Sequence, residues 1–455
     1  MKKTLLLSLT LLLVQFVVGQ SNFSTSLHST REGKAYAYKA ENGGMELITN
    51  IPMDNLACKK CHSTTGKYPN GDPIDKLTYA PSCKDCHDFS QGTTVAEQTC
   101  LNCHNRQVYE RAAYPDADIH KTKGLTCKSC HSKAELHGDD GVKYNSIYEP
   151  GAIKVKCEDC HTPLPANTSH NIHAATVECA ACHAVGVLSC ASCHFETIVA
   201  TGENRAINQL KNYRLLVKKE GGKIGIGAFM THTYNGKTNY IINAYHSHAI
   251  QKNATTCADC HYNQGGTNVA IGEYNTTGKI NMTRWNATTK KIMGPSGVVP
   301  LPSDWKTSLK FDFATYTGDP NLFPSDANAW TYLKSTVDNS HLFFCEPLDA
   351  STLTKLGFTT LPTGIEDFAQ FNLLQNYPNP FNGLTYITYT LNRTSNVSLR
   401  IFDSSGRLIK TVAETRQNQG EHQVKLSATD LPIGFYYCKL EVNGKTAVKK
   451  MIRSN

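Results

Sequence analysis

The string Cys58-Lys59-Lys60-Cys61-His62 is the first of eight copies of Cys-x-x-Cys-His in this chain of 455 residues. Seven copies lie between residues 58 and 194, and the eighth stands apart at Cys257-Ala258-Asp259-Cys260-His261. Sixteen of the 18 cysteines belong to these copies, and only Cys345 and Cys438 are left over. This arithmetic argues against a framework of disulfides and for a repeated binding motif.

The spacing is the attachment signature of a c-type haem. The two thiols form thioethers to the haem vinyl groups, and the next histidine is placed to ligate the iron from the proximal side. Zinc sites and redox dithiols also use Cys-x-x-Cys pairs, but neither needs a histidine directly after the second cysteine. We therefore expect eight covalently attached haem c groups, held by Cys58, Cys61, Cys83, Cys86, Cys100, Cys103, Cys127, Cys130, Cys157, Cys160, Cys179, Cys182, Cys190, Cys193, Cys257 and Cys260.

The 18 histidines predict how each iron is ligated. Eight end the motifs and are the predicted proximal ligands: His62, His87, His104, His131, His161, His183, His194 and His261. His341 and His422 lie far from any motif. The other eight are the predicted distal ligands: His28, His120, His137, His170, His173, His232, His246 and His248.

Two of these candidates have a spacing that suggests how they are used. His170 and His173 are three residues apart, so on a helix they share a face and can serve two neighbouring haems.

Methionine is the competing distal ligand and would raise the haem potential. The candidates are Met45, Met53 and Met230, which we rank below the histidines.

The eight motifs and their spacing resemble the multihaem cytochromes c. With about one haem per 20 residues in the first seven copies, the haems must pack against one another and form the core. We expect a haem-packed fold, mostly coil, with a short helix at each motif and little sheet. No motif has lysine in place of histidine, a substitution that marks the catalytic haem in some multihaem nitrite and tetrathionate reductases.

The N-terminus suggests export. Lys2 and Lys3 precede an apolar run over residues 5–18, which is too short to span a membrane and predicts a cleaved signal peptide, residues 1–19. No later segment is long and apolar enough to span a membrane.

The formal charge of +8 is expected to offset the negative charge of the haem propionates, so it does not indicate a nucleic-acid partner. The candidate side chains are Lys59, Lys60, Lys84, Lys128, Lys154 and Lys156.

Four regions follow the signal peptide. We expect a haem-dense cytochrome region over 20–200 and a region of β-hairpins and loops with the eighth haem over 201–352. Hairpins are predicted around Glu220-Gly221-Gly222-Lys223 and around Asn235-Gly236. A linker is expected over 353–365. Period-two strands over 366–455 predict a small immunoglobulin-like β-sandwich.

The last region resembles the type A C-terminal sorting domain of the type IX secretion system. The resemblance rests on the opening Gln375-Asn376-Tyr377-Pro378-Asn379-Pro380-Phe381-Asn382, on Leu431-Pro432-Ile433-Gly434 and on the ending Lys449-Lys450-Met451-Ile452. It implies passage across the outer membrane to the cell surface or the medium, with the secretion machinery as a partner. The alternative is an ordinary immunoglobulin-like binding domain.

Together these features predict extracellular electron transfer by a secreted octahaem cytochrome with mostly bis-histidine haems. Other redox proteins or extracellular electron acceptors are the expected partners. A homopolymer is a further hypothesis, in which His28 near the N-terminus ligates a haem of the next subunit. The alternative function is an octahaem oxidoreductase that acts on a nitrogen or sulfur oxyanion or on hydroxylamine at one open haem.

Overall fold

The computed structural model describes residues 22–56, 63–75, 78–359, 371–391, 394–442 and 445–454. The predicted signal peptide and the first motif, residues 58–62, lie outside these ranges. The chain divides into two compact units, Met1–Leu361 and Pro362–Asn455. Within the described residues, no helix combines the length and the apolar character needed to cross a membrane.

Short helices dominate the first part of the first unit, as predicted. The α-helices are Leu27–Thr30, Glu32–Tyr38, Glu46–Thr49, Glu97–Leu101, Asn105–Ala113, Ile119–Thr122, Cys127–Cys130, Lys133–His137, Thr168–His173, Cys179–His183, Phe195–Thr201, Cys257–Cys260, Val269–Thr277, Trp305–Ser308 and Ala350–Leu356. Single 3-10 turns lie at Phe23–Thr25, Ala40–Asn42, Met53–Asn55, Cys83–Asp85, Cys157–Asp159, Tyr262–Gln264 and Ala327–Ala329.

An eight-stranded mixed sheet forms the other half of this unit. Its main path is β1-β3-β4-β5-β13, while β9 and β14 also pair with β3, and β2 pairs with β4. The strands of the unit are β1 Val187–Ala191, β2 Cys193–His194, β3 Asn208–Lys219, β4 Ile224–Tyr234, β5 Lys237–Ala244, β6 Ile280–Asn281, β7 Arg284–Asn286, β8 Lys291–Met293, β9 Gly297–Pro300, β10 Leu309–Lys310, β11 Phe313–Tyr316, β12 Trp330–Lys334, β13 Asn339–Phe343 and β14 Cys345–Glu346.

The two predicted hairpins are confirmed and share one strand. β3 and β4 pair antiparallel on either side of the predicted Gly221-Gly222 turn, and β4 pairs antiparallel with β5 around Asn235-Gly236. Asn235 and Gly236 have φ angles of 48° and 72°. Positive φ at both central residues is what a type I′ turn needs, and this turn matches the twist of the flanking strands.

The buried side chains of the large sheet form the main core of the unit. Leu215, Phe229 and Ile242 are fully enclosed there. The sheet draws on chain from both sides of residue 200, because β1 precedes that position and pairs with β3, which follows it. The predicted regions 20–200 and 201–352 therefore belong to one structural unit.

The middle region, predicted to contain β-hairpins and loops, holds nine strands of two to five residues (β6–β14) between Tyr262 and Asp349. Strands this short show no period-two pattern in a sequence. Helix Ala350–Leu356 occupies the start of the predicted linker 353–365, and residues 360–370 lie outside the described ranges.

The second unit consists of two antiparallel sheets, with strand orders β15-β16-β19 and β18-β17-β20-β21. Alternate side chains of both sheets, such as Ile387 and Leu399, are fully buried in one shared core. This alternation confirms the period-two prediction. A 3-10 turn lies at Ala428–Asp430, and the strands are β15 Phe371–Leu373, β16 Leu384–Leu391, β17 Ser395–Asp403, β18 Leu408–Gln417, β19 Gly420–Ser427, β20 Gly434–Val442 and β21 Lys445–Arg453.

Candidate haem centres

A single large cavity of about 2650 Å³ runs through the helical part of the first unit. A pocket for one drug-sized ligand is roughly 300 to 1,000 Å³, so this cavity has room for several such groups. Six of the seven described motifs line it with both cysteines and the histidine: those that begin at Cys83, Cys100, Cys127, Cys157, Cys179 and Cys257. The motif that begins at Cys190 does not line it.

The six motifs share one local conformation, a single helical turn. In five of them the backbone N–H of the histidine donates a hydrogen bond to the carbonyl of the first cysteine. The N···O distances range from 2.7 Å at His261 to 3.0 Å at His87. In the remaining motif, Cys179–His183 is a complete short helix. A helical turn brings residues three and four apart onto the same side, so both thiols and the histidine face one space.

An aspartate inside three motifs helps to fix this turn, a device that the sequence analysis did not identify. Asp85, Asp159 and Asp259 each stand directly before the second cysteine and accept a hydrogen bond from the backbone N–H three residues earlier, over 2.9 to 3.0 Å. This is half of a capping box, which satisfies an N–H that a helix start leaves unpaired. The recurring string Cys-x-Asp-Cys-His was the available signal.

Twelve of the histidine rings that line the cavity are arranged in pairs, and each pair joins one motif histidine to one histidine outside the motifs. The centroids of the two rings are 6.0 to 6.4 Å apart. The six pairs are His87 with His137, His104 with His28, His131 with His248, His161 with His120, His183 with His170, and His261 with His173.

This spacing fits two imidazoles that share one metal ion. A metal–imidazole bond is about 2.0 Å long and a ring nitrogen lies about 1.1 Å from its ring centre, so the two centroids would be about 6.2 Å apart. All six pairs lie within 0.2 Å of that value. The residues present therefore fit a haem iron held from both faces.

Hydrogen bonds orient several of these rings for metal binding. The Nδ1 atoms of His183, His261, His170 and His173 lie 2.8 to 3.1 Å from backbone carbonyl oxygens. A carbonyl oxygen can only accept, so Nδ1 carries the hydrogen and donates. Nε2 is then left with its lone pair free, as a ligating histidine requires.

The pair His131 and His248 is distinctive because a carboxylate lies beside each ring. Glu135 Oε1 accepts from His131 Nδ1 at 2.7 Å, and Glu110 Oε2 lies 3.7 Å from His248 Nδ1. Both carboxylates are buried, with side chains 6% and 1% exposed. Burial raises the pKa of each carboxyl group, but the hydrogen bonds they accept outweigh it and hold both pKa values below the usual range.

Burial also keeps several cavity histidines neutral, the form that binds a metal. It lowers the pKa of His28 to about 4, with a further contribution from the neighbouring His104. The pKa values of His104 and His137 are lowered by burial as well. These rings therefore present nitrogen lone pairs at neutral pH.

Electrostatic interactions between motif cysteines indicate the order of the six sites. The pKa of the Cys86 thiol in the second motif is raised partly by Cys100 and Cys103 of the third, and the pKa of Cys127 in the fourth partly by Cys100. The series continues through interactions between Cys130 and Cys160, between Cys157 and Cys179, and between Cys182 and Cys260. The second, third, fourth, fifth, sixth and eighth motifs therefore follow one another in a row.

Basic side chains outnumber acidic ones around the cavity, ten to five. Lys128 and Lys156 are among them, as expected for side chains that offset haem propionates. Lys154 instead pairs with Asp140, whose carboxylate lies 3.0 Å from its ammonium group. Lys84 does not line the cavity, and Lys59 and Lys60 lie outside the described residues.

The remaining predicted ligands lie in other surroundings. His246 lines the cavity with its ring stacked on Tyr148, and burial lowers its pKa to about 3. His232 is buried in β4, where the Asn239 amide hydrogen-bonds to its Nδ1 at 3.2 Å. The alternative ligands Met45, Met53 and Met230 do not line the cavity, and His62 lies outside the described residues.

Comparison with known families agrees with this arrangement. Residues 46–105 match the family described as "Cytochrome c7 and related cytochrome c", and residues 375–454 match "Secretion system C-terminal sorting domain". The chain carries a cytochrome c7-like multihaem domain and a secretion sorting domain. Covalently bound haem c follows from the cytochrome family, and export by the type IX route to the cell surface or beyond follows from the sorting domain.

Two curated relatives are similar to part of this chain. The "Cytochrome c-type protein NrfB" of Escherichia coli is 28% identical over 148 residues, covering 27% of this chain and 74% of the relative. The "Acrylate reductase cytochrome subunit" of Shewanella woodyi is 27% identical over 96 residues, covering 19% of this chain and 68% of the relative.

Two solved structures are similar to a small part of this chain, with a TM-score of 0.14 each. One is PorZ, a surface component of the type IX secretion system of Porphyromonas gingivalis, at 21% identity over 18% of this chain and 12% of PorZ. The other is the Ig1 domain of mouse SynCAM 2, at 17% identity over 18% of this chain and 92% of that domain.

Proposed function

We propose that this cytochrome is an electron carrier whose haems are mostly closed by two histidines. The supporting observation is the set of six ring pairs, each made of one motif histidine and one other histidine. When bound, the haem irons supply one-electron oxidation and reduction. Because the second histidine fills the position that a small substrate would need, these residues favour electron transfer over catalysis.

The order of the sites supports relay along the protein. The row begins at the motif of Cys83 and ends at the motif of Cys257, and a cysteine of each motif interacts electrostatically with a cysteine of the next. His170 and His173 support the same order, because one short helix supplies the second histidine to two successive sites. We infer that electrons enter near one end of this row and leave near the other.

We propose that the relay operates outside the cell, with other redox proteins or extracellular acceptors as partners. The sorting domain supports export, and we propose that its two sheets, of three and four strands, form an immunoglobulin-like sandwich. One relative is named as the cytochrome subunit of a reductase, which supports a second redox protein as donor or acceptor.

The hypothesis of a homopolymer needs a different ligand from the one first considered. The ring centroid of His28 lies 6.0 Å from that of His104 in the same chain, so His28 is already paired with a motif histidine of its own subunit. A filament built by exchange of His28 would require this pair to separate. We therefore propose that the electron-carrying unit is the single chain.

Electron paramagnetic resonance of the purified, fully oxidised cytochrome tests the proposed function. We expect low-spin ferric signals only, unchanged by cyanide, nitrite or hydroxylamine. A high-spin ferric signal that one of these small molecules converts to low spin would mean an open iron. That result would favour the alternative, an oxidoreductase acting on a nitrogen or sulfur compound.

A further inference from the structure

The seventh motif, Cys190-Ala191-Ser192-Cys193-His194, is built into the large sheet. Its first cysteine lies in β1, where it is opposite Gln209 of β3. Its second cysteine and its histidine form β2, which pairs in parallel with β4 at His232 and Thr233. The same five-residue pattern that makes a helical turn elsewhere is extended here.

Hydrogen bonds fix this extended conformation from several sides. Ser192 adopts a φ of 47° and is fully buried. Its N–H donates to Thr231 Oγ1 at 2.7 Å, and its hydroxyl accepts from the N–H of Ala314 at 3.0 Å. The N–H of His194 donates to the carbonyl of Arg205 at 2.7 Å, and so it is not available for the turn-forming bond to Cys190. A helical turn here would break all three bonds.

The ring of His194 lies beside a hydroxyl group and a carboxylate. Nδ1 lies 2.9 Å from the hydroxyl of Thr197, and Nε2 lies 3.3 Å from a carboxylate oxygen of Glu196. Nε2 is the atom that the paired histidines leave free for iron, and at His194 a carboxylate lies next to it. The centroid of the His194 ring lies 6.0 Å from that of Tyr316 and 6.3 Å from that of Trp330. Among the described residues, His194 has no histidine ring at the spacing seen in the six pairs.

The surroundings of this motif differ from those of the six motifs that line the large cavity. Cys193 is 5% exposed and His194 is 7% exposed, and neither they nor Cys190 line the large cavity. A haem joined to both thiols would need a space comparable to that beside the other six motifs. Here the buried rings of Tyr316 and Trp330 pack against His194 instead.

We propose that the seventh motif carries no haem in the folded protein and that it is a structural segment of the sheet core. The chain then has seven attachment motifs in use, one fewer than its eight copies of the string. His194 acts as a structural residue that ties the strand end to the helix Phe195–Thr201 through Thr197.

Mass spectrometry of a tryptic digest of the haem-loaded protein tests this directly. No lysine or arginine lies between Lys156 and Arg205, so one peptide, residues 157–205, contains the fifth, sixth and seventh motifs. We expect this peptide to carry two haems, with Cys190 and Cys193 unmodified by haem in its fragment spectrum. Three haems on the peptide, or a haem located on these two cysteines, would overturn the proposal.

Paired variants give a second test that uses the intact mass. Replacing both Cys190→Ala and Cys193→Ala should leave the number of haems per chain unchanged. The matched change at a motif that lines the cavity, Cys257→Ala with Cys260→Ala, should remove one haem. If the first variant loses a haem while remaining folded, the proposal is wrong, and if it does not fold, the peptide measurement on the unmodified protein decides.

Discussion

The buried carboxylate of Glu135 should lower the reduction potential of the haem bound at the fourth motif. Its Oε1 atom accepts a hydrogen bond from His131 Nδ1 at a distance of 2.7 Å, and the Glu135 side chain is only 6% exposed. Ferric iron makes the Nδ1–H of its ligand more acidic than ferrous iron does, so the oxidised state gains more from the negative partner. Glu135→Gln keeps the shape and an acceptor oxygen but removes the charge, so the potential should rise.

The size of the shift follows from the hydrogen bond. A hydrogen bond to a charged group is worth about 1.5 to 3 kcal/mol. For a one-electron couple, about 1.4 kcal/mol corresponds to about 59 mV. If the variant loses this stabilisation mainly in the oxidised state, the potential at the fourth motif should rise by about 60 to 130 mV.

Spectroelectrochemical titration of the haem-loaded protein measures this shift. One component of the redox curve, with the amplitude of a single haem, should move upward while the others stay within a few tens of millivolts. Glu203→Gln is the control, because it removes a charge from an exposed position of the same unit. No shift, a downward shift, or an equal shift of every component in Glu135→Gln would refute the reasoning.

Three further predictions concern the ligands, the core and the sorting domain. His173→Ala should leave the iron held by His261 with one open face and add one high-spin ferric signal to the electron paramagnetic resonance spectrum, whereas the control His422→Ala in the second unit should add none. An unchanged spectrum for His173→Ala would contradict the pairing. Phe229→Ala should lower the free energy of unfolding by about 3 to 5 kcal/mol in a denaturant titration, because the ring is fully buried, while the exposed Val269→Ala should change it by less than about 0.5 kcal/mol. Deleting residues 366–455 should leave the haem content unchanged but keep the protein inside the cell envelope in a fractionation assay, and continued release into the medium would argue against the sorting role.

The sequence predicts candidate second ligands, but it could not predict which motif histidine each of them faces. A count of spare histidines indicates that most irons can be closed. His137 nevertheless faces His87, and His248 faces His131, across 50 and 117 residues of chain. Such contacts depend on how the chain folds around the cavity, which no local pattern records. His170 and His173 were more informative, because a spacing of three on a helix predicts a shared face.

The seventh motif shows why one string can have two conformations. Its flanks contain Val187, Leu188, Phe195 and Ile198, all of them buried. The hydrophobic effect draws these side chains, and the motif between them, into the sheet core. By contrast, the flanks of the second motif, such as Ser82 and Asp88, are polar and partly exposed. The apolar flanks were visible in the sequence, whereas the pairing with β3 and β4 was not.

An anomalous-difference map collected at the iron absorption edge from crystals of the haem-loaded protein tests the central claim most directly. The account predicts one iron peak between the two rings of each of the six histidine pairs, and no peak beside His194. An iron with a histidine on one face only at any of these six pairs would contradict it. So would a pair that has no iron between its rings.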